Sequence, residues 1–491
     1  MDGRNSGGKQ PRNEEAERLI MRNNVQVDVD KLIGVMQGKL SESPKLLTKS
    51  AGRNKCCIFR APGHFFSSGW KANTRPHQPR AVSIGPYHHG KRHLKMMQEH
   101  KWRFLERVVK RTREKKGVGL EEYIKVVRGL EEEARECYSE AITTLKGDDK
   151  FVEMLVLDGC FVVEFFRSFS GMYPFENDDP FRTMQWIGCS IRDDLLCLEN
   201  QIPYIVLQRL FELTEIDTNR LFDGGPTSLD GMALNFFGIS DKVETPQDFE
   251  ALHLLNLVRK SLIPVPGSSS YKPHCLSMLL SGAGAELERA VKGLSRLNCF
   301  QRTAGEAGNI HCITKLRRSG IKLKLKEDES SFLRVEFKRG VIRMPLLILD
   351  DTRCAFLLNC VAFEQCHGES DKLVSEYAVF LDCLIDTHKD VDILCEAKVL
   401  QNCLATKDEV AAFVGKLSKA VTISSFEETY LSEVYAGVNA HYDNNLHIHL
   451  AEVKHKYFSS PWSFISLIAA IFLLVLTVVQ TIFAILDFKN K

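Results

Sequence analysis

Two groups of side chains in this chain have the types and spacing to do chemistry. Tyr87-His88-His89-Gly90 sets two imidazoles side by side at a turn, and imidazole both ligates metals and moves protons near neutral pH. Asp158, Glu164, Asp193, Asp194 and Glu199 are carboxylates placed among apolar neighbours. Such surroundings disfavour the charged form and can poise a general acid/base pair. An enzyme of this kind, acting at a membrane, would use Asp158, Glu199 or His88 in a cleft. A second explanation covers the same residues: buried acids tied to helix ends or to Arg167 and Arg192.

Other chemistry lacks its motifs. Adjacent histidines rarely chelate one ion, and no third ligand stands at a standard spacing. His447 and His449, with His441 and His455 nearby, do not share a helix face at a separation of two. There is no Gly-x-Ser-x-Gly and no glycine-rich phosphate loop followed by Lys-Ser or Lys-Thr. Cys366-His367 has no protease context, and no Cys-x-x-Cys pair occurs. The sequence therefore assigns no catalytic residue, no cofactor and no metal.

The elements that must position these groups are mostly helices. Met97, Phe104, Leu105 and Val108 recur at helical spacing, and the same helix ends in the basic run Arg107 to Lys116. Tyr123, Val127, Leu130, Ala134, Cys137 and Ala141 step by fours and threes, with Glu121 and Glu122 placed to pair with Lys125. Phe151 to Phe169 is apolar almost all round, and its four charges exclude a membrane span. It reads as the central buried helix. Val25 to Leu40 carries Val27, Val29, Leu32, Ile33 and Met36 as a short helix. Around Cys56 to Arg60 and Ala81 to Pro86, short β-type runs end in turn residues. Ile321 to Lys326 and Leu333 to Lys338 alternate strictly, and a third run spans Val341 to Ile348. Together they predict a three-strand antiparallel meander with one solvated face. Lys322, Lys324 and Lys326 form its basic stripe, a candidate contact for anionic lipid as well as a lysine-protected strand face.

The totals set the frame. The chain has 491 residues, and Lys+Arg 65 against Asp+Glu 63 leaves a net charge of +2, so no global field steers it to nucleic acid. Its 15 cysteines are scattered apart from Cys56-Cys57, which suits a reducing compartment. No Asn-x-Ser/Thr sequon occurs.

An uncharged apolar run from Ser463 to Leu486 follows Pro461-Trp462. As a helix of roughly 36 Å it predicts a single transmembrane anchor, with Phe464, Leu467, Ile471, Leu474, Val478, Ile482 and Ile485 in the span and Trp462 at the interface. The expected location is a membrane, with the body in the cytosol; the alternative places the body outside the cell. The small residues Ser466, Ala470, Thr477, Thr481 and Ala484 allow homo-oligomerisation through that helix.

Several of these segments carry a resemblance. Val82-Ser83-Ile84-Gly85-Pro86-Tyr87-His88-His89-Gly90, Met154-Leu155-Val156-Leu157-Asp158-Gly159-Cys160-Phe161, Asp194-Leu195-Leu196-Cys197-Leu198-Glu199-Asn200-Gln201-Ile202-Pro203 and Val361-Ala362-Phe363-Glu364-Gln365-Cys366 occur in this order. With the terminal apolar run, they resemble the plant-specific family called domain of unknown function 247 over residues 30 to 488. The resemblance implies a mainly helical domain on a C-terminal membrane helix and brings no catalytic residues. Some members are associated with pollen–stigma recognition in grasses, which leans the expectation towards signalling or recognition.

The expected fold is mainly α: a large helical domain with a small antiparallel β meander and one C-terminal transmembrane helix. Its organisation is a disordered segment at 1–24, a helical first part at 25–262 and a loop or linker at 263–308. A β meander plus helical second part at 309–456 then packs on the first, and anchor and tail occupy 457–491. The expected function is a membrane-anchored, non-enzymatic interaction or recognition module with unidentified protein partners and membrane lipid as its contacts. The alternatives are the acid/base enzyme and an apoplastic recognition protein.

Overall fold

The computed structural model describes residues 31–37, 39, 55–66, 76–142, 145, 148–214, 226–239, 250–263, 310–327, 331–422, 429–443 and 461–489. The linker expected at 263–308 and the segment at 1–24 lie outside these residues, apart from position 263.

The body is mainly helical. Residues 31–37 form helix α1, with Leu32, Ile33 and Met36 exposed. The first bundle comprises α2 (Lys95–Lys116), α3 (Leu120–Gly129), α4 (Glu131–Glu136), α5 (Asp148–Phe169), α6 (Pro180–Thr183), α7 (Gln185–Leu195), α8 (Tyr204–Thr214), α9 (Leu229–Phe236) and α10 (Leu254–Ser261). Helix α5 is its axis, packed by α2, α3, α8 and α9. Its Phe161, Phe165 and Phe166 are sealed from solvent and meet Phe104, Phe175, Phe181 and Phe236 in offset and edge-to-face contacts. Gly159 lets α8 approach closely: a Cβ there would stand 2.4 Å from a Leu210 methyl.

The helix expected from Tyr123 to Ala141 forms as two shorter ones that end at Glu136, before Cys137 and Ala141. Gly129 ends α3, the Leu130 N–H turns back to the Val127 carbonyl, and α4 restarts with three glutamates in its first turn. The pair placed at Glu121 and Lys125 forms at 2.6 Å.

The second part holds α11 (Ile313–Arg318), β1 (Lys322–Leu325), β2 (Glu336–Lys338), β3 (Val341–Met344), β4 (Leu347–Leu349), α12 (Asp351–Cys366), α13 (Leu373–Leu384), α14 (His388–Glu396), β5 (Leu400–Asn402), α15 (Lys407–Lys419) and α16 (Ser432–Tyr442). One apolar core runs through both parts, from Cys56 to Val438. Helix α12 is buried on most of its circumference and meets α7, α10 and α13.

The antiparallel meander is not what forms. The sheet order is β1-β3-β2, with β1 parallel to β3 and only β2 and β3 antiparallel. The chain after β1 sends Phe332, Leu333 and Val335 into the core instead of turning back at once. The true hairpin joins β2 to β3 across Arg339 and Gly340, both left-handed at φ 51° and 74°, as a two-residue turn of matching twist requires. Pro345, which has no N–H to give a ladder, splits the third run. Its second half, β4, pairs in parallel with β5.

The transmembrane helix also requires correction. The apolar run does fold as a helix, α17 (Pro461–Lys489), with exposed side chains at Ile465 and from Ile468 to Ile482. Among the described residues no helix is long and apolar enough to cross a membrane. Of the expected span, Ile471, Leu474, Val478 and Ile482 are exposed on α17. The side chains of Trp462, Phe464, Leu467 and Ile485 lie outside the described set.

Candidate functional site

Residues 80–90 run through the helical body outside any helix or strand, straight at 82–84 and bending through turns from Gly85 to Gly90. A buried strip outside any sheet needs partners for each N–H; two of the candidate carboxylates, Asp158 and Asp194, and the Asn200 amide supply several of them. The Asp194 carboxylate, at the end of α7, accepts from the N–H groups of Arg80, Ala81 and Val82 at 2.8, 2.7 and 2.8 Å. Burial pushes its pKa up to about 6 against the pull of those three bonds. Asn200 reads the next residues. Its Oδ1 accepts from the Ile84 N–H at 2.7 Å, and its Nδ2 donates to the carbonyls of Val82 and Asp194 at 3.0 and 2.9 Å.

Asp158, from the middle of α5, completes the strip. One oxygen accepts the Gly85 N–H at 2.8 Å and the other meets Lys101 Nζ at 2.5 Å, with both side chains fully buried. Lys101 also donates to the Ser83 carbonyl. Gly85 is required twice over. Its φ is 78°, and a Cβ would lie 2.3 Å from the Gln201 carbonyl oxygen. Gln201 closes the turn between α7 and α8, donating to the carbonyls of Leu195 and Cys197 and accepting the Leu255 N–H. Asn359 on α12 accepts from the Leu198 N–H at 2.9 Å and donates to the Pro76 carbonyl, tying the second part to this knot.

The remaining candidates divide. Glu164 is gripped by both terminal nitrogens of Arg111 at 2.5 and 2.6 Å. Asp193 pairs with Arg80 at 2.5 Å. Arg167, expected as the acids' partner, instead donates to Thr214 and to the Phe211 carbonyl, and burial pulls it down to about 10. Arg192 lies over the Phe236 ring.

His88 and Glu199 do come together. Their Nε2 and Oε2 atoms are 3.6 Å apart, too long for a hydrogen bond, and both side chains are buried. Burial lowers the His88 pKa, with Glu199 pulling the other way. Lys91 Nζ stands 2.7 Å from Nδ1; as an ammonium it can only donate, which places the neutral ring's proton on Nε2, facing Glu199. Arg60 reaches Glu199 at 3.9 Å and lies over the Tyr87 ring.

A depression of about 400 Å³ is lined by Gln208, Phe211, Glu212 and residues 227–230, none of them a candidate from the sequence. Among the described residues, no group of three His, Cys, Asp or Glu could hold a metal. His441 packs on Phe337 and over Gly340, while His447, His449 and His455 lie outside the described residues. In the basic stripe, Lys322 and Lys324 are exposed, and Lys326 is drawn into a 2.7 Å pair with Glu336.

Sequence reasoning missed Lys101, the amides Asn200, Gln201 and Asn359 as backbone partners, and the buried pair of Arg259 with Glu364 at 2.7 Å. Lys101 left a signal: it stands four residues from both Met97 and Leu105, a charge on the buried stripe.

Asp158, Asp194, Asn200 and Gln201 of the knot lie in the motif segments, whereas Lys101 and Asn359 lie outside them. The model of the DUF247 family, described as a plant protein of unknown function, matches residues 58–476. The chain belongs to that family. Among the relatives of this DUF247 member, the UPF0481 protein At3g47200 of Arabidopsis thaliana is 35% identical over 459 residues, covering 92% of this chain and 90% of that protein. A second UPF0481 protein of the same plant, At3g02645, is 20% identical over 466 residues, covering 82% and 86%. No solved structure matches.

Proposed function

We propose that the chain is a non-enzymatic interaction or recognition module: a rigid helical body that presents a surface to protein partners in plant signalling. The observation that supports it most is the saturation of the motif residues. Asp158, Asp194, Asn200 and Gln201 have their polar atoms committed to Lys101 and to the backbone of residues 80–85 and 195–255, which leaves little capacity to hold a substrate.

The same reading needs a surface, and the first bundle offers one. Met96 and Trp102 on α2, and Met184 and Trp186 at the start of α7, are each about half exposed. Helix α6 is fastened to α2 through Asp179–Arg103 at 2.8 Å and through Phe181 against His100, so the two groups sit on adjoining elements. Exposed Trp and Met are the side chains that protein interfaces favour. Lys322 and Lys324 offer a smaller cationic surface to anionic groups, lipid headgroups included. We place the body in the cytosol, a reading supported by its scattered cysteines and by the lack of a sequon.

The rival enzyme draws on one observation, the His88–Glu199 approach. Affinity capture from plant extracts separates the readings. The full chain should retain a reproducible set of proteins that the Trp102→Glu, Trp186→Glu variant loses. Capture of no reproducible partner by the parent chain counts against the module.

A further inference from the structure

Outside the knot, the described thiols crowd at one place. Cys57 and Ile58 both donate their N–H groups to the Cys137 carbonyl, at 3.0 and 2.8 Å, and Ser139 donates to the Ile58 carbonyl at 3.0 Å. The two segments therefore pair in parallel with Ile58 opposite Tyr138, and Cys57 opposite Cys137 in the same register. Paired backbones lie about 4.8 Å apart, inside the range of Cα separations a disulfide spans. The Cys137 thiol donates to the Glu133 carbonyl at 3.4 Å, and the Cys57 side chain lowers its pKa. Both are free and buried, Cys137 at the edge of burial with 9% exposure and Cys57 with 1%.

We propose that Cys57 and Cys137 are an oxidation site, a thiol pair that hydroperoxides convert to a disulfide. The Cys137 thiolate attacks one peroxide oxygen; an S–O bond forms, the O–O bond breaks, and the leaving oxygen takes a proton. The Cys57 sulfur then attacks the sulfenic sulfur; the S–S bond forms and water leaves with the Cys57 proton. Two thiols lose two electrons and the peroxide is reduced to water and its alcohol, or to two waters from hydrogen peroxide. The assignment of roles follows the surroundings. Hydrogen bonding from Cys57 lowers the Cys137 pKa, whereas burial raises Cys56 to about 12.

The bond would fasten an existing junction. Tyr138 hydrogen-bonds the Gln201 carbonyl, and Phe59 packs edge-on to His367 of the second part. A link at Cys57–Cys137 would thus staple the extended segment to the bundle and close a long loop, which restricts the unfolded chain.

The test is peroxide treatment of the purified full chain, alkylation of remaining thiols, and peptide mapping without reductant. A cross-linked peptide joining the Cys57 and Cys137 segments is expected. It should disappear on reduction, persist in Cys56→Ser, vanish in Cys57→Ser, and accompany a melting temperature several degrees higher. In Cys57→Ser, a sulfenic acid at Cys137 should become trappable by a 1,3-dione. The proposal is overturned if Cys57 and Cys137 stay alkylatable while the exposed Cys189 and Cys403 are oxidised, or if the link survives Cys57→Ser.

Discussion

Lys101 Nζ lies 2.5 Å from Asp158 Oδ1, with neither side chain reaching solvent. The pair joins α2 to the central helix and, through Gly85 N–H and the Ser83 carbonyl, holds the extended strip between them. A buried ion pair is not a gain over apolar packing, but half of one is costly. Lys101→Met is expected to destabilise the chain by about 3–5 kcal/mol, because it strands the Asp158 charge. Lys101→Met with Asp158→Leu should recover part of that loss, leaving Gly85 N–H as the residual cost. Urea unfolding of the two variants measures it; a double variant as unstable as the single would refute the stranded-charge account.

Gly85→Ala meets two obstacles at once, a left-handed backbone and a carbonyl 2.3 Å from the new Cβ. The expected loss is about 3 kcal/mol or more. Gly90 is left-handed as well, yet a Cβ there meets nothing within 4 Å, so Gly90→Ala should cost about 1 kcal/mol. Thermal melts of both variants should separate them clearly; equal losses would show that close approach at Gly85 does not matter.

Burial pushes the His253 imidazole down to about 3, with His367 and Arg259 also opposing its charge. Between about pH 6.5 and pH 3 the unfolded chain therefore binds a proton here that the folded chain does not. Stability contributed by neutral His253 is intact above the ordinary histidine pKa and falls as the solution is acidified, by at most about 1.4 kcal/mol per pH unit. Asp194 and Glu376 act in the opposite sense, since burial raises them to about 6 and about 7. The test therefore compares slopes. His253→Asn keeps an acceptor for the Asn256 N–H that His253 Nδ1 now caps and should flatten the loss of stability between pH 6.5 and 4.5. An unchanged slope would contradict the buried neutral imidazole.

Much of the helical body was legible because burial leaves a period. Phe151 to Phe169 read as the central helix and is α5. What escaped was pairing across the chain. Alternation in Ile321–Lys326 and Leu333–Lys338 shows which side chains share a face, but not that β3 lies between β1 and β2. An apolar run states its hydrophobicity, not what it meets, and the terminal run became α17 without a described span long enough to cross a membrane. Among the site residues, Asp158 and Asp194 stood out by charge, whereas Asn200 and Gln201 carry no charge to mark them within their motif. The role of Asn200 depends on a backbone strip more than a hundred residues away, and that of Gln201 on the start of α10 at Leu255.

The exposed aromatic surface should be separable from the fold. Trp186→Ser removes a side chain about half in solvent, so stability should change by no more than about 0.5 kcal/mol. A loss well beyond that, read by chemical denaturation, would mean that Trp186 packs inward and is not available to a partner.

The most direct measurement sets the two candidate surfaces against each other in one capture experiment. The full chain, the His88→Gln, Glu199→Gln variant and the Trp102→Glu, Trp186→Glu variant would be compared at matched stability, with captured proteins quantified by mass spectrometry. An interaction module predicts that the first variant keeps the parent's partners and the second loses them. Loss with His88→Gln, Glu199→Gln and retention with Trp102→Glu, Trp186→Glu would contradict the account and return the buried histidine–carboxylate pair to the centre of the function.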